Sequence, residues 1–117
     1  MTRDDETWKP FLLYPYEDGV RYGLILSDSK MGPTMATFED HGRHPGGYGW
    51  ADVASHLVAT RAPEIEGRFD LDPEAGMFVA YGEDLEALQT LAGLLHEVFH
   101  DQAKLAAAVK DAPWQWD

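Results

Sequence analysis

Two short stretches near the start of the chain are rich in apolar side chains. Residues 11–16 form a mostly apolar run, and residues 20–26 alternate as a half-buried strand does. Asp18 and Gly19, between the two runs, are typical of the tight turn of a β-hairpin. Pro15 has no N–H to donate to a second neighbour, which favours a position at the sheet edge. The pattern therefore predicts an antiparallel hairpin whose first strand is an edge strand.

Three further stretches are predicted as strands. Residues 34–38, which follow a turn-like Met-Gly-Pro sequence, are predicted to add a third strand. Residues 68–72 alternate as a half-buried strand, and residues 77–81 form an apolar run. The turn-forming residues 73–76 lie between these last two stretches, so we expect a second hairpin.

The spacing of apolar residues predicts two long helices. In residues 50–61 the apolar side chains fall on one stripe, Asp52 lies in the expected first turn, where the helix dipole favours an anion, and Pro63 ends the helix. Residues 85–100 form the second amphipathic helix, and Asp84 is its expected N-cap.

The C-terminal part of the chain is also expected to be helical. Residues 102–110 either continue the second long helix or form a short additional one. Trp114 and Trp116 follow, and we expect them to pack back onto the body of the protein or onto a second copy of the chain.

This order of elements predicts the fold class. Antiparallel hairpins with helices on one face form an α+β two-layer sandwich. The 117 residues suffice for a single domain spanning residues 1–117, with residues 1–8 expected to be flexible.

Composition limits the classes of function. The chain has 21 acidic and 9 basic residues, a formal net charge of −12 and no cysteine. A disulfide or a thiolate metal site is therefore excluded, and nucleic acid and anionic lipid are disfavoured as partners. The acidity either steers a basic protein partner or serves only solubility. Because no signal peptide or membrane segment is evident, we expect a cytoplasmic protein.

The sequence HEVFH at residues 96–100 has the H-E-x-x-H spacing of zinc peptidases. On a helical wheel, however, Glu97 and His100 lie opposite the apolar stripe, and His96 lies at its boundary. A catalytic zinc also needs a third protein ligand, and two upstream histidines, His41 and His44, would instead complete a closed four-imidazole site. We interpret the motif as a solvated helix flank and expect no metal or other cofactor. A small zinc-dependent hydrolase, with His96 and His100 as ligands, is the alternative.

Glycines precede the first long helix in the stretch GGYGW at residues 46–50. Phosphate-binding loops are similar, but here no Lys followed by Ser or Thr completes the motif and the surroundings are acidic. We therefore expect these glycines to supply backbone freedom at positive φ and to present Tyr48 and Trp50.

The chain resembles immunity family 51 of bacterial polymorphic toxin systems. The similarity rests on GGYGW at residues 46–50 and on FDLDPEAGMF at residues 69–78, and it extends from about residue 11 to residue 109. The order of elements is also similar: a hairpin, a helix, a second hairpin and a helix beginning near DLEAL. The resemblance implies a protein that binds and neutralises a cognate toxin domain and is not an enzyme.

Candidate toxin-binding residues follow from these motifs. Tyr48 and Trp50 would be aromatic anchors if exposed, and burial under the first long helix is the alternative for both. Asp72 and Glu74 are the acidic candidates, and a turn-forming role is the alternative for them. The acidic surface favours a basic toxin domain as the partner.

Overall fold

Two hairpins form one sheet in the computed structural model, which describes residues 6–116. The first consists of β1 (Leu12–Pro15) and β2 (Tyr22–Ser27), and the second of β3 (Asp70–Leu71) and β4 (Met77–Gly82). The strand order is β1-β2-β4-β3, and every neighbouring pair is antiparallel. The sheet therefore has β1 and β3 at its edges.

The predicted hairpins are confirmed, and so is the edge position of Pro15. Gly19 adopts a positive φ of 71° in the first turn. The Asp18 carboxylate accepts the backbone N–H groups of Val20 and Arg21 at 2.8 and 2.9 Å. This local hydrogen bonding explains why Asp-Gly marks the turn so clearly. The second hairpin begins later than predicted, because only two residues of the stretch 68–72 pair with β4.

Helices cover one face of the sheet. They are α1 (Met35–Glu39), α2 (Gly47–Arg61), α3 (Leu85–Phe99) and α4 (Gln102–Asp111). Helices α2 and α3 pack on the strands, and α4 packs on the other three helices. The strand side chains that face the helices are fully buried, whereas those that alternate with them are half-exposed; the buried set is Leu13, Leu24, Leu26, Phe78 and Ala80. The α+β class is thereby confirmed.

The strand predicted at residues 34–38 is wrong, because this stretch is helical. A single 3₁₀ turn, Gly32–Thr34, runs directly into α1. Pro33 suits the first helical turn, since its φ is fixed and its missing N–H would have no partner there. Thr37 and Phe38 are buried side by side, a pattern that fits a helix and not an alternating strand. Residues with high strand propensity misled the prediction in so short a segment.

The second long helix agrees with its prediction to within one residue. Asp84 is its N-cap and accepts the backbone N–H of Ala87 at 3.0 Å. The helix ends at Phe99, and α4 is a separate helix capped by Asp101, which accepts the N–H of Lys104. The prediction for residues 102–110 is therefore resolved in favour of an additional helix.

The first long helix begins three residues earlier than predicted, at Gly47. Asp52 consequently lies in the second turn, and its carboxylate is fully buried. The expectation that it complements the helix dipole in the first turn is wrong, since its partners are groups from other parts of the chain.

Both ends of the described residues contact the body of the protein. Trp8 is half-buried, and its ring lies edge-on to His96 with the centroids 6.2 Å apart. The predicted flexibility of residues 1–8 otherwise concerns residues 1–5, outside the described range, and stays a prediction. At the other end the backbone of the tail is hydrogen-bonded to Asp52, whereas residues Trp114 and Trp116 remain 57% and 41% exposed.

Candidate functional site

The two motifs that carry the family resemblance contact each other. Gly47 donates its backbone N–H to the carbonyl oxygen of Ala75 at 3.1 Å. A β-carbon on Gly47 would collide with the carbonyl oxygens of Glu74 and Met77, and one on Gly46 would collide with that of Ala75. Glycine is needed at both positions because backbone lies directly against backbone. The start of α2 therefore docks on the turn between β3 and β4.

The expected role of these glycines at positive φ is wrong. Gly46 has a φ of −135°, within the extended region that any residue can adopt. Among residues 6–116, the glycines with positive φ are Gly19, Gly42 and Gly67. The glycines at positions 46, 47 and 49 instead allow the start of α2 to lie in close contact with neighbouring backbone atoms.

The two aromatic candidates have different environments. Trp50 is fully buried, with ring centroids 5.6 Å from Phe11, 5.4 Å from Phe38 and 6.0 Å from Phe99. Its indole N–H has no acceptor within residues 6–116. Tyr48, two residues earlier on α2, is 37% exposed. A partner could therefore reach Tyr48 but not Trp50 in the folded protein.

The acidic candidates lie on the turn that α2 contacts. Glu74 and Met77 exchange both backbone hydrogen bonds, at 2.8 and 3.1 Å, and Asp72 donates its N–H to Val79. Both carboxylates are exposed, and neither forms an ion pair within the described part of the chain. The backbones thus form the turn, and both carboxylates remain available at the surface.

Helix α2 and residues 66–74 lie side by side and run in opposite directions. At one end Gly47 contacts the carbonyls of Glu74 and Ala75. Further along, residues 52–59 of α2 and residues 66–71 line a groove of about 530 Å³, which we call the tail groove because residues 113–116 form its third wall. The predicted residues Tyr48, Asp72 and Glu74 therefore lie near one end of a longer surface that sequence reasoning did not find.

A buried ion pair holds the third wall in place. The Asp52 carboxylate accepts a hydrogen bond from Arg43 Nη1 at 3.2 Å and the backbone N–H groups of Gln115 and Trp116 at 3.1 and 2.9 Å. The side chains of Arg43 and Asp52 are 1% and 0% exposed. Burying a charge without a partner is very costly, so these hydrogen bonds are what permits a carboxylate inside α2.

Arg43 also binds the C-terminal tail directly. Its guanidinium donates to the backbone carbonyl of Ala112 and lies 4.4 Å from the centre of the Trp114 ring. One signal of this arrangement was present in the sequence. Asp52 is the charged residue in Trp50-Ala51-Asp52-Val53-Ala54, a stretch that is otherwise apolar, and a charge in such a stretch requires a partner.

The residues of HEVFH are engaged in structural contacts. His100 Nε2 lies 2.8 Å from the carbonyl oxygen of Lys9, and the rings of His96 and His100 are 4.6 Å apart. Burial, and secondarily the charge of His100, lower the pKa of His96. Its ring lies against Trp8.

Glu97 also lacks the environment of a general base. Its carboxylate accepts a hydrogen bond from Arg61 and lies 3.5 Å from Lys104 Nζ. The hydrogen bond from Arg61 is the main reason why the pKa of Glu97 is lowered. A metallopeptidase base acts near neutral pH, which requires a raised pKa. Across the described residues, no three His, Asp or Glu side chains are grouped so as to hold a metal ion.

No helix within residues 6–116 is both long and apolar enough to span a membrane.

Comparison with known proteins gives one positive result. Residues 11–113 match the family described as Immunity protein 51. Neither the curated proteins nor the solved structures contain a significant match. The family match covers nearly the whole chain and includes both contacting motifs, GGYGW and FDLDPEAGMF. The chain therefore belongs to the Immunity protein 51 family.

Proposed function

We propose that this protein binds the toxin domain of a cognate polymorphic toxin and neutralises it by protein–protein contact, without catalysing a reaction. The observation that carries the proposal is the family match over residues 11–113. An immunity protein of this kind acts where the toxin is made, so the proposed site of action is the cytoplasm of the producing cell.

The proposed binding surface begins at the junction of the two motifs. Tyr48 is exposed there, and Asp72 and Glu74 add two exposed carboxylates on the adjoining turn. Exposed tyrosines on rigid elements are frequent anchors of protein interfaces. Docking of Gly47 on the turn holds the tyrosine and the two acids in a fixed relation.

The net charge of the protein favours a partner of opposite charge. At a formal net charge of −12, the protein accelerates encounter with a basic domain and repels other polyanions. We therefore propose a basic toxin domain as the partner and do not propose nucleic acid or a membrane surface.

The direct test uses the toxin domain that this proposal expects to be encoded beside the gene. Co-expression should protect cells from that toxin, and calorimetry with a catalytically inactive toxin domain should give a defined stoichiometry. Survival without a detectable complex would contradict neutralisation by contact, and neither survival nor binding would contradict the function as a whole.

Surface variants locate the interface. Tyr48→Ala should weaken binding by about 2 kcal/mol or more, the scale of an interface hot spot. Met35→Ala is the matched control, because Met35 is also an exposed apolar side chain, at 41% against 37% for Tyr48. Glu74→Lys should slow association, with Glu39→Lys as its control. Equal effects of the variants and their controls would exclude this end of the surface.

No observation favours the zinc-dependent hydrolase. Zinc measured in protein purified without added metal should be substoichiometric and unchanged by His96→Ala. One zinc per chain that is lost in this variant would contradict the proposal that the protein is not an enzyme.

A further inference from the structure

We propose that the tail groove is the specificity pocket of the toxin interface and that it receives an arginine side chain from a basic segment of the toxin. This inference rests on the proposed function. It names the chemistry that the groove accepts, which family membership does not supply.

The shape of the groove is suited to a protruding side chain. Its volume of about 530 Å³ is within the range of pockets that enclose small ligands. Phe69 and Leu71 contribute half-buried apolar surface, and Trp116 is 41% exposed. An aromatic ring with an accessible face is the protein group on which a guanidinium stacks.

The charges of the groove have one sign. Glu66 and Asp70 are exposed acids that line it, and none of its lining residues in the described chain is Lys or Arg. Neither acid forms an ion pair with another described residue. The groove is thus lined by two carboxylates without ion-pair partners and by an indole, and this lining is complementary to a cation.

Two arginines near the groove form ion pairs with other carboxylates. Arg68 lies between the two acids in sequence, but its guanidinium binds Asp84, with Nε and Nη2 at 2.7 and 2.6 Å from Oδ2. Arg43, next to the tail, is bound to Asp52. Neither guanidinium forms an ion pair with Glu66 or Asp70.

An arginine uses both features of the groove at once. Its planar guanidinium can stack on the Trp116 ring while its N–H groups donate to carboxylates, whereas a lysine ammonium stacks less well and makes no bidentate pair. The hydrogen bonds of Asp52 to the tail hold the backbone of Trp116 in place, so the indole extends from a fixed point on the wall of the groove.

Titration with a small probe tests the groove without the toxin. We expect N-acetyl-argininamide to cause saturable NMR shifts at the Trp116 indole and at the amides of Glu66 and Asp70. The citrulline analogue has nearly the same shape without the charge and should cause none. The inference is overturned if both probes act alike or if the arginine shifts are spread evenly over the acidic surface.

Paired variants provide the control for charge. Glu66→Gln with Asp70→Asn should abolish the arginine shifts and weaken toxin binding about tenfold or more. Glu39→Gln with Glu86→Gln removes the same number of charges from exposed sites outside the groove and should leave both nearly unchanged. Trp116→Ala keeps the backbone N–H that is bonded to Asp52. This variant should reduce the arginine-induced shifts and weaken toxin binding. Equal behaviour of the two double variants overturns the inference.

The toxin measurements separate this inference from the proposed function. If the wild type and the groove variants bind the toxin equally well, the groove assignment is wrong and the immunity function stands. If the wild type does not bind the toxin, the proposed function is wrong, and the arginine titration still decides whether the groove is a cation pocket. Tyr14 and Tyr81 are half-buried residues on the sheet face opposite the helices. Loss of binding only with changes at these two residues would place the interface on that face and overturn the inference.

Discussion

Asp52 and Glu97 both accept hydrogen bonds from groups distant in sequence, yet they lie in opposite environments. Asp52 is bound by Arg43 and by two backbone N–H groups of the tail, with both side chains of the ion pair buried. Glu97 is bound by Arg61 and Lys104 with 38% of its side chain exposed. Water screens the second arrangement and cannot screen the first.

The difference shows where a conspicuous motif misleads. Glu97 belongs to HEVFH, which has the spacing of a zinc peptidase, but it forms an ordinary surface ion pair. Asp52 belongs to no known motif, yet it joins α2 to a preceding loop and to the C-terminal tail. Because the tail is one wall of the tail groove, the buried carboxylate also shapes the proposed binding surface.

Replacing Asp52 should have the largest effect. Asp52→Ala leaves the buried Arg43 guanidinium without its carboxylate and two tail N–H groups without their acceptor, so we expect a loss of about 3–5 kcal/mol in the free energy of unfolding. Urea unfolding measures the loss, and Glu97→Ala is the control for removing a carboxylate. A similar small change in both variants would eliminate the contrast between the two sites.

Removing both charges should have an intermediate effect. In the double variant Arg43→Met/Asp52→Leu no buried charge remains unpaired, which restores part of the stability lost in Asp52→Ala. The tail N–H groups and the Ala112 carbonyl still lose their partners, so we expect a deficit on the order of 1–3 kcal/mol relative to wild type.

Hydrogen exchange gives the control for this double variant. The amides of Gln115 and Trp116 should lose protection, because Asp52 is their acceptor. If the variant is as stable as the wild type and both amides stay protected, the tail is held by apolar contacts and not by the carboxylate.

Local signals in the sequence account for most of the fold. The second long helix was predicted to within one residue because its period extends over 15 residues and Asp84 caps it. Five residues are too few to establish a period, and α1 was therefore mistaken for a strand. The hairpins were found because their turns, DG and DPEAG, are local chemistry.

The candidate site depends on contacts that no local pattern encodes. Asp52 and Trp116 are separated by 64 residues, and the tail groove exists only once they meet. The sequence identifies the GGYGW and DPE motifs but not their mutual contact, which requires the start of α2 to lie on a turn that begins more than 20 residues later. Residue types were therefore predictable, whereas the groove between them was not.

Asp18 tests whether backbone donors can stabilise an exposed carboxylate in the way that the tail stabilises Asp52. The N–H groups of Arg21 and Val20, and then the Arg21 side chain, lower the pKa of Asp18 from 3.8 to about 2. The pKa of Asp18 is lower in the folded than in the unfolded protein. Its contribution to the free energy of unfolding is therefore present above pH 3.8 and is lost as the pH falls toward 2. The stability difference between wild type and Asp18→Asn should therefore shrink over this interval, measured by urea unfolding.

A second variant separates the two causes at Asp18. Arg21→Met removes the cation and keeps both backbone donors, so most of this pH dependence should remain. Its complete loss in Arg21→Met would mean that the ion pair and not the backbone stabilises the carboxylate.

Replacing Glu97 should have the smallest effect. Glu97→Gln keeps the shape of the side chain and a hydrogen-bond acceptor for Arg61, and water solvates the cations that lose the negative charge. The lowered pKa of Glu97 means that any stabilisation is present above the ordinary pKa of 4.5 and declines as the pH falls below it. Near neutral pH we expect Glu97→Gln to change the free energy of unfolding by little more than the scatter of replicate urea curves. About 1 M salt, where the Debye length is about 3 Å, should remove this difference. A salt-resistant loss as large as that of Asp52→Ala would show that exposure does not weaken this pair.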